Sequence, residues 1–250
     1  MAQQQLDILR VASDRGIHWL QRGWRIFMAN PGMWLLYMIV IIGINLVCAV
    51  VPLVGGLLAA FVNTIIGAGA VLIAARIERN EPHDVAVLFS GFTNETVRPQ
   101  MLTLGALAAG AQLVVFIAAL VLLGGHIATA MITGSMSAGT FAGGFIISLL
   151  LVLACAALVA MAFIYASPLV LMYEVPAIEA IKLSWRISVV NFVPMLVAGI
   201  IFGVLGVLAS VLLIVGWLVL GPVTIGAIYA SFTDTLRPLG ELELGPAHAD

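Results

Sequence analysis

Six carboxylates, Glu78, Glu81, Asp84, Glu95, Glu174 and Glu179, lie in two charged stretches of an otherwise apolar chain. Converging carboxylates could do general acid–base work on a lipid. Alternating with Arg76, Arg79, Arg98, Lys182 and Arg186, they are expected instead to balance neighbouring charge, and a catalytic set would need Glu78, Asp84 and Glu174 to meet. Cys48 and Cys155 sit inside apolar runs and read as buried free thiols rather than metal ligands or a disulfide. His126 has no carboxylate nearby in sequence to build a metal site with. The run Ile65-Ile66-Gly67-Ala68-Gly69-Ala70-Val71 resembles a dinucleotide fingerprint, but Leu72 replaces its third glycine and no βαβ unit surrounds it. Asn94-Glu95-Thr96 fits the glycosylation pattern and is expected to be silent on the cytoplasmic side. No catalytic constellation, cofactor site or metal site is expected.

The elements that must position these residues are set by charge. All charged residues fall within Asp7–Arg25, Arg76–Arg98, Glu174–Arg186 and Asp234–Asp250. The intervening tracts, Ile26–Ala75, Pro99–Tyr173 and Ile187–Thr233, are 50, 75 and 47 residues long and uncharged. A helix crosses the roughly 30 Å hydrocarbon core in about 20 residues, so each tract can cross twice. The apolar runs are continuous rather than alternating, which favours helices over a β-barrel. Six spans are predicted near Met33–Val51, Leu53–Ala75, Met101–Leu123, Phe145–Tyr173, Pro194–Ile214 and Trp217–Phe232.

Every Lys and Arg lies on one side, so both termini are assigned to the cytoplasm. No signal peptide precedes the first apolar run, and Asp7 and Asp14 count against a transit peptide. The far turns fall around Pro52 and Gly216. Gly124–Gly144 is expected to be a flexible loop, with a shallow re-entrant segment as the alternative. Trp34, Tyr37, Tyr165, Tyr173 and Tyr229 are expected at the inner interface, and Trp217 at the outer one. At 63% apolar and 9% charged residues, the chain is far from the roughly 25% charge of soluble domains. One Lys and nine Arg give no nucleic-acid footprint.

The charged stretches contain amphipathic helices. In residues 176–190, Glu179, Lys182 and Arg186 share a face opposite Ile178, Ile181, Trp185 and Val189. Near the N-terminus, Arg15, His18, Arg22 and Arg25 oppose Ile17, Leu20, Trp24 and Phe27. Trp24-Arg25-Ile26 with Asn30 matches Trp185-Arg186-Ile187 with Asn191 at an offset of 161, which Gly55 and Gly216 share. Pro82, Ala86, Ser90, Met101 and Leu102 match Pro176, Ala180, Ser184, Met195 and Leu196 at an offset of 94, and Ile-Tyr-Ala-Ser occurs at 164–167 and 228–231. These matches predict one all-α membrane domain with a pseudo-threefold repeat. Its units, about 14–76, 82–173 and 176–236, each comprise a cytoplasmic amphipathic helix and a hairpin of two spans. A short polar tail, 237–250, follows. Trp24, Arg25, Trp185 and Arg186 are candidate lipid anchors, with the indoles at the interface and the guanidiniums reaching phosphate or a carboxylate. Asn30 and Asn191 are candidate caps of the spans that follow.

Gly199, Gly203, Gly206 and Ser210 form a small-residue stripe expected to pack against a neighbouring helix. No Asp, Glu, Lys or Arg lies at membrane depth, which argues against ion-coupled transport. Asn45, Asn63 and Gln112 are the candidate polar residues of a pathway for an uncharged solute.

The stretch Glu174–Ser231, with Glu179-Ala180-Ile181-Lys182-Leu183-Ser184-Trp185-Arg186 ahead of a hairpin that carries Val215-Gly216 and Pro222, resembles a group of bacterial multi-span proteins. The YciC-like membrane proteins and the membrane domain attached to some glycerophosphodiester phosphodiesterases look similar. The resemblance implies a bacterial inner-membrane protein and assigns no chemistry, since its motifs are topological and the soluble phosphodiesterase domain is not represented. The leading expectation is a non-enzymatic protein that organises or senses lipid or serves as an accessory subunit. Its partners would be membrane lipids and proteins at the cytoplasmic face, with the oligomeric state open. The alternatives are a uniporter, exporter or channel for an uncharged or hydrophobic solute, and an interfacial lipid enzyme.

Overall fold

The computed structural model describes residues 6–52, 54–133 and 138–238. Helix α1 (Arg15–Ala29) leads into α2 (Pro31–Ala49) and α3 (Gly55–Glu78). A 3-10 turn (Val85–Phe89) and the single turn α4 (Ser90–Thr93) precede α5 (Arg98–Thr133), α6 (Ala138–Phe163) and α7 (Ala166–Tyr173). Then come α8 (Ala177–Val190), α9 (Phe192–Val211) and α10 (Leu213–Thr235). Two short strands, β1 (Leu6–Ile8) and β2 (Leu236–Pro238), pair antiparallel with Asp7 opposite Arg237. Six helices are long and apolar enough to cross a membrane. Their order matches the six expected spans, with shifted ends. Of the tail 237–250, only Arg237 and Pro238 lie within the described residues.

Local chemistry sets the boundaries. Pro31 occupies the first turn of α2, where a missing N–H costs nothing, and Asn30 Oδ1 accepts the Met33 N–H at 3.4 Å. The expected fourth span is two helices. Pro168 cannot donate to residue 164, and the chain breaks at Ile164–Tyr165. Ser184 Oγ enters the gap, accepting the Tyr165 N–H at 3.2 Å and donating to the Met161 carbonyl at 2.9 Å. Ser188 donates to the same carbonyl at 3.0 Å. The last hairpin turns at Leu212 rather than Gly216. Gly216 is instead inside α10, where a Cβ would collide with the Ala209 carbonyl oxygen. Gly55 stands in the same relation to Cys48, and both glycines and both partners are separated by 161 residues.

Gly124–Thr133 and Ala138–Gly144 are helical rather than loop, and α5 runs 36 residues, about 54 Å at 1.5 Å per residue, longer than the hydrocarbon core is thick. Residues 134–137 of that segment lie outside the described residues. His126 Nε2 lies 2.9 Å from Ser148 Oγ, joining α5 to α6. The glycines that suggested flexibility make room: a Cβ at Gly144 would strike the His126 ring. Gly67-Ala68-Gly69 likewise belongs to α3, and Gly69 lets the Val87 and Leu88 carbonyls approach.

The core is built around α3 and α10, the two most enclosed spans, while α6 and α9 face outward along most of their length. Trp34 and Tyr37 are fully buried in it, and Trp34 Nε1 donates to the Ile26 carbonyl at 3.1 Å. Tyr165 and Tyr229 are also core residues, whereas Trp217 is exposed. Tertiary packing encloses these tyrosine rings and Trp34 within the protein.

The expected stripe in α9 does not pack. A Cβ at Gly199 or Gly203 would meet no atom within 4 Å, and Gly206 only approaches the Trp217 ring. Close helix contact is made elsewhere. Gly23 of α1 and Gly226 of α10 cross backbone on backbone, with Val223 and Ala227 alongside. Gly23→Val is therefore expected to lower the thermal unfolding temperature of the detergent-solubilised protein sharply, whereas Gly203→Ala leaves it unchanged. Equal effects of the two substitutions would contradict this packing.

Candidate functional site

Helix α1 brings the charged islands together. Gly16, Trp19, Gly23, Ile26 and Phe27 form its buried face. Of the apolar set Ile17, Leu20, Trp24 and Phe27, only Phe27 belongs to this buried face, and Ile17 and Trp24 are exposed. Backbone approach decided the orientation: Gly16 fits against the Pro194 carbonyl of α9 and Gly23 against α10, sites where any larger side chain would collide. Helix α1 therefore bridges α9 and α10.

Arg15, Trp19 and Arg22, at i, i+4 and i+7, then point at the ends of α3 and α10. Arg15 donates to Asp234 Oδ2 through Nε at 3.0 Å and Nη2 at 2.5 Å. Trp19 Nε1 donates to the same oxygen at 2.7 Å. Arg22 grips Glu78 with two parallel bonds of 2.7 and 2.5 Å, donates to Thr233 Oγ1 at 2.9 Å, and stands 5.3 Å from the centre of the Tyr229 ring. The bond to Glu78 raises the Arg22 pKa above its ordinary value, outweighing burial. Trp19 and Asp234 were not singled out in the sequence. One signal was available, since Asp234 is the first charge after the 47-residue uncharged tract.

The other islands join on the same side. Gln100 Oε1, at the start of α5, accepts the Ala177 N–H of α8 at 2.9 Å. Asn191 does not cap α9. It is fully buried, accepting the Val11 N–H at 2.9 Å and donating to the Leu9 carbonyl at 3.0 Å. Satisfying the backbone beside β1 displaced the cap.

The expected anchors have a common disposition. Trp24 is 48% exposed and Trp185 39%, Arg25 and Arg186 are exposed, and the isoleucine that follows each pair is buried. Among the described residues neither Arg25 nor Arg186 makes an ion pair. The carboxylates serve separate local ends: Glu78 holds Arg22, Asp84 caps the 3-10 turn through Val87, Glu179 pairs with Lys182 at 2.7 Å, and Glu174 ends α7 in a left-handed conformation. Asn45 and Asn63 bond each other reciprocally at 3.1 and 2.8 Å across α2 and α3, and Gln112 is exposed on α5. The three polar residues therefore line no shared cavity, and the solute pathway loses its candidates. Cys48 is buried and Cys155 half-buried, both as free thiols.

A cleft of about 1000 Å³ lies between α9 and α10 beside α1. Leu205, Leu208, Leu212, Val215, Val219 and Val223 make its walls, and Arg15, His18, Trp24 and Arg25 stand at the α1 end.

The Arg22–Glu78 pair carries the join between α1 and α3. Arg22→Gln or Glu78→Gln should each cost about 1 kcal/mol, the upper end for an ion pair whose carboxylate meets solvent. The double variant should lose clearly less than the sum in thermal unfolding. Strict additivity would show that the pair is not a stabilising contact.

No family model, curated protein or solved structure matches this chain, so its function is argued from its own residues and geometry.

Proposed function

We propose that this chain is a bacterial inner-membrane protein, with both termini in the cytoplasm, that interacts with lipid at the inner interface. Its role is organising membrane or serving as an accessory subunit rather than catalysing a reaction. The observation that carries the reading is the outward Trp-Arg pair on both α1 and α8, next to spans that hold no charge. An indole and a guanidinium side by side suit the glycerol and phosphate levels of a bilayer, and neither guanidinium makes an ion pair among the described residues. The positive-inside rule supports the orientation, because the described Lys and Arg gather at the same helix ends. The resemblance to YciC-like proteins agrees with this reading.

A repeat of one helix plus one hairpin supports it as well. Gly16, Trp19, Gly23, Ile26 and Phe27 of α1 correspond at an offset of 161 to Ala177, Ala180, Ser184, Ile187 and Ser188, the buried residues of α8. The packing is cyclic: α1 packs on α10, the 3-10 turn on α3, and α8 on α6 and α7. Each introducing element thus sits on the second half of the preceding unit. The middle unit departs from the pattern, for its introducing segment is a 3-10 turn and α4 rather than a long amphipathic helix. Asp84 caps that turn, and Gly69 draws its Val87 and Leu88 carbonyls inward.

Replacing Trp24 and Trp185 together by Ala should strip most of the co-purifying lipid seen by native mass spectrometry, with folding retained. Unchanged lipid retention and unchanged phenotype would sink the lipid reading. The orientation has its own test in a background lacking Cys48 and Cys155. Met131→Cys should react with an impermeant maleimide in spheroplasts, and Lys182→Cys only after lysis; the reverse pattern would invert the topology.

A further inference from the structure

We propose that the cleft between α9 and α10 seats an acyl chain of an anionic phospholipid, with its phosphate held at Arg25 and His18 of α1. This assignment rests on the lipid reading above and adds a place and a headgroup charge to it. The walls belong to two spans that pack tightly at their far ends, where Gly216 meets Ala209. They extend about 10–12 Å along each helix, from Leu205 to Leu212 and from Val215 to Val223. A groove so apolar and so long exceeds what free phosphate can fill, and Leu208, Leu212 and Val215 on its walls are exposed.

Charge at the α1 end sets the class of headgroup. Arg15, Arg22 and Arg25 border the cleft against the single carboxylate of Asp234. Asp234 is occupied by Arg15 and Trp19, and Glu78, which lies near enough to feel Arg25, is gripped by Arg22. Arg25 is left with no ion pair among the described residues, and His18 has only a 3.8 Å approach to Asp14. A guanidinium at the head of a lipid-facing groove is stabilised by an anion, and its planar donors suit phosphate. Trp24 lines the same end and provides an aromatic surface at headgroup level. Acyl chain and phosphate, the two complementary features, come joined in one phospholipid.

The test uses the full-length protein, delipidated and incubated with dioleoyl phosphatidylglycerol, dioleoyl phosphatidylcholine or inorganic phosphate, and read by native mass spectrometry. Phosphatidylglycerol should be retained about fivefold better than phosphatidylcholine, the scale of one basic residue at a membrane surface. Arg25→Gln should abolish that preference while leaving chain binding, and Leu208→Trp, at an exposed wall position, should remove the bound lipid. Phosphatidylglycerol carrying a diazirine on its acyl chain should label Leu205–Leu212 or Val215–Val223 in the unmodified chain, which keeps the test decisive if a variant misfolds. Label spread evenly over the spans, equal retention of both lipids, binding of inorganic phosphate alone, or a second copy of this chain in the cleft would overturn the assignment. Lipid retained but indifferent to both variants would remove the site and leave the broader lipid reading standing. Failure of the wild-type protein to retain any lipid would remove both.

Discussion

The carboxylate of Asp234 lies at the end of α10, 15% exposed, and receives bonds from Arg15 and Trp19 while Arg22 approaches its other oxygen. A charge so enclosed is tolerated only with partners, and losing one would leave the others unsatisfied. Charge is equally costly in hydrocarbon, so this polar cluster marks where the helices must leave the membrane. The ends of α3 and α10 and the whole of α1 are located by it.

Once α1 is held there, the rest follows by contact. Gly16 and Gly23 let its backbone lie against α9 and α10. That placement turns Ile26 and Phe27 into the core with Trp34 and leaves Trp24 and Arg25 outside. Helix α8 repeats the arrangement with serines. Ser184 and Ser188 enter the broken backbone above Pro168, whereas Gly23 of α1 lies directly against the backbone of α10. One burial pattern therefore serves two kinds of contact, close backbone approach and hydrogen bonding. A cleft remains beside the bridged helices, lined by α9, α10 and α1.

Much of the fold was legible because lipid imposes it. Six spans follow from uncharged length, and Pro31 with Asn30 announces the start of α2. Other local signals proved ambiguous. The Gly124–Gly144 composition suggests a loop, yet the described residues there are helical, and Gly144 makes room for the His126 ring. The Gly199 stripe has the spacing of a packing motif and no neighbour. Asn191 has the type and position of a cap, but a segment 180 residues away took its side chain. Of the candidate site, Trp24 and Arg25 could be named from their helix, whereas Trp19, Asp234 and Glu78 became partners only through long-range folding.

The sequence by itself determined where the chain can cross a membrane and where it cannot, since charge and apolar length act locally and need no neighbour. It also determined the 161-residue correspondence that α1 and α8 share. Only the tertiary structure decided which face of α1 turns inward, which carboxylate meets which arginine, and where a cleft stays open. Those outcomes depend on how closely two backbones approach, and that distance is set by both partners together.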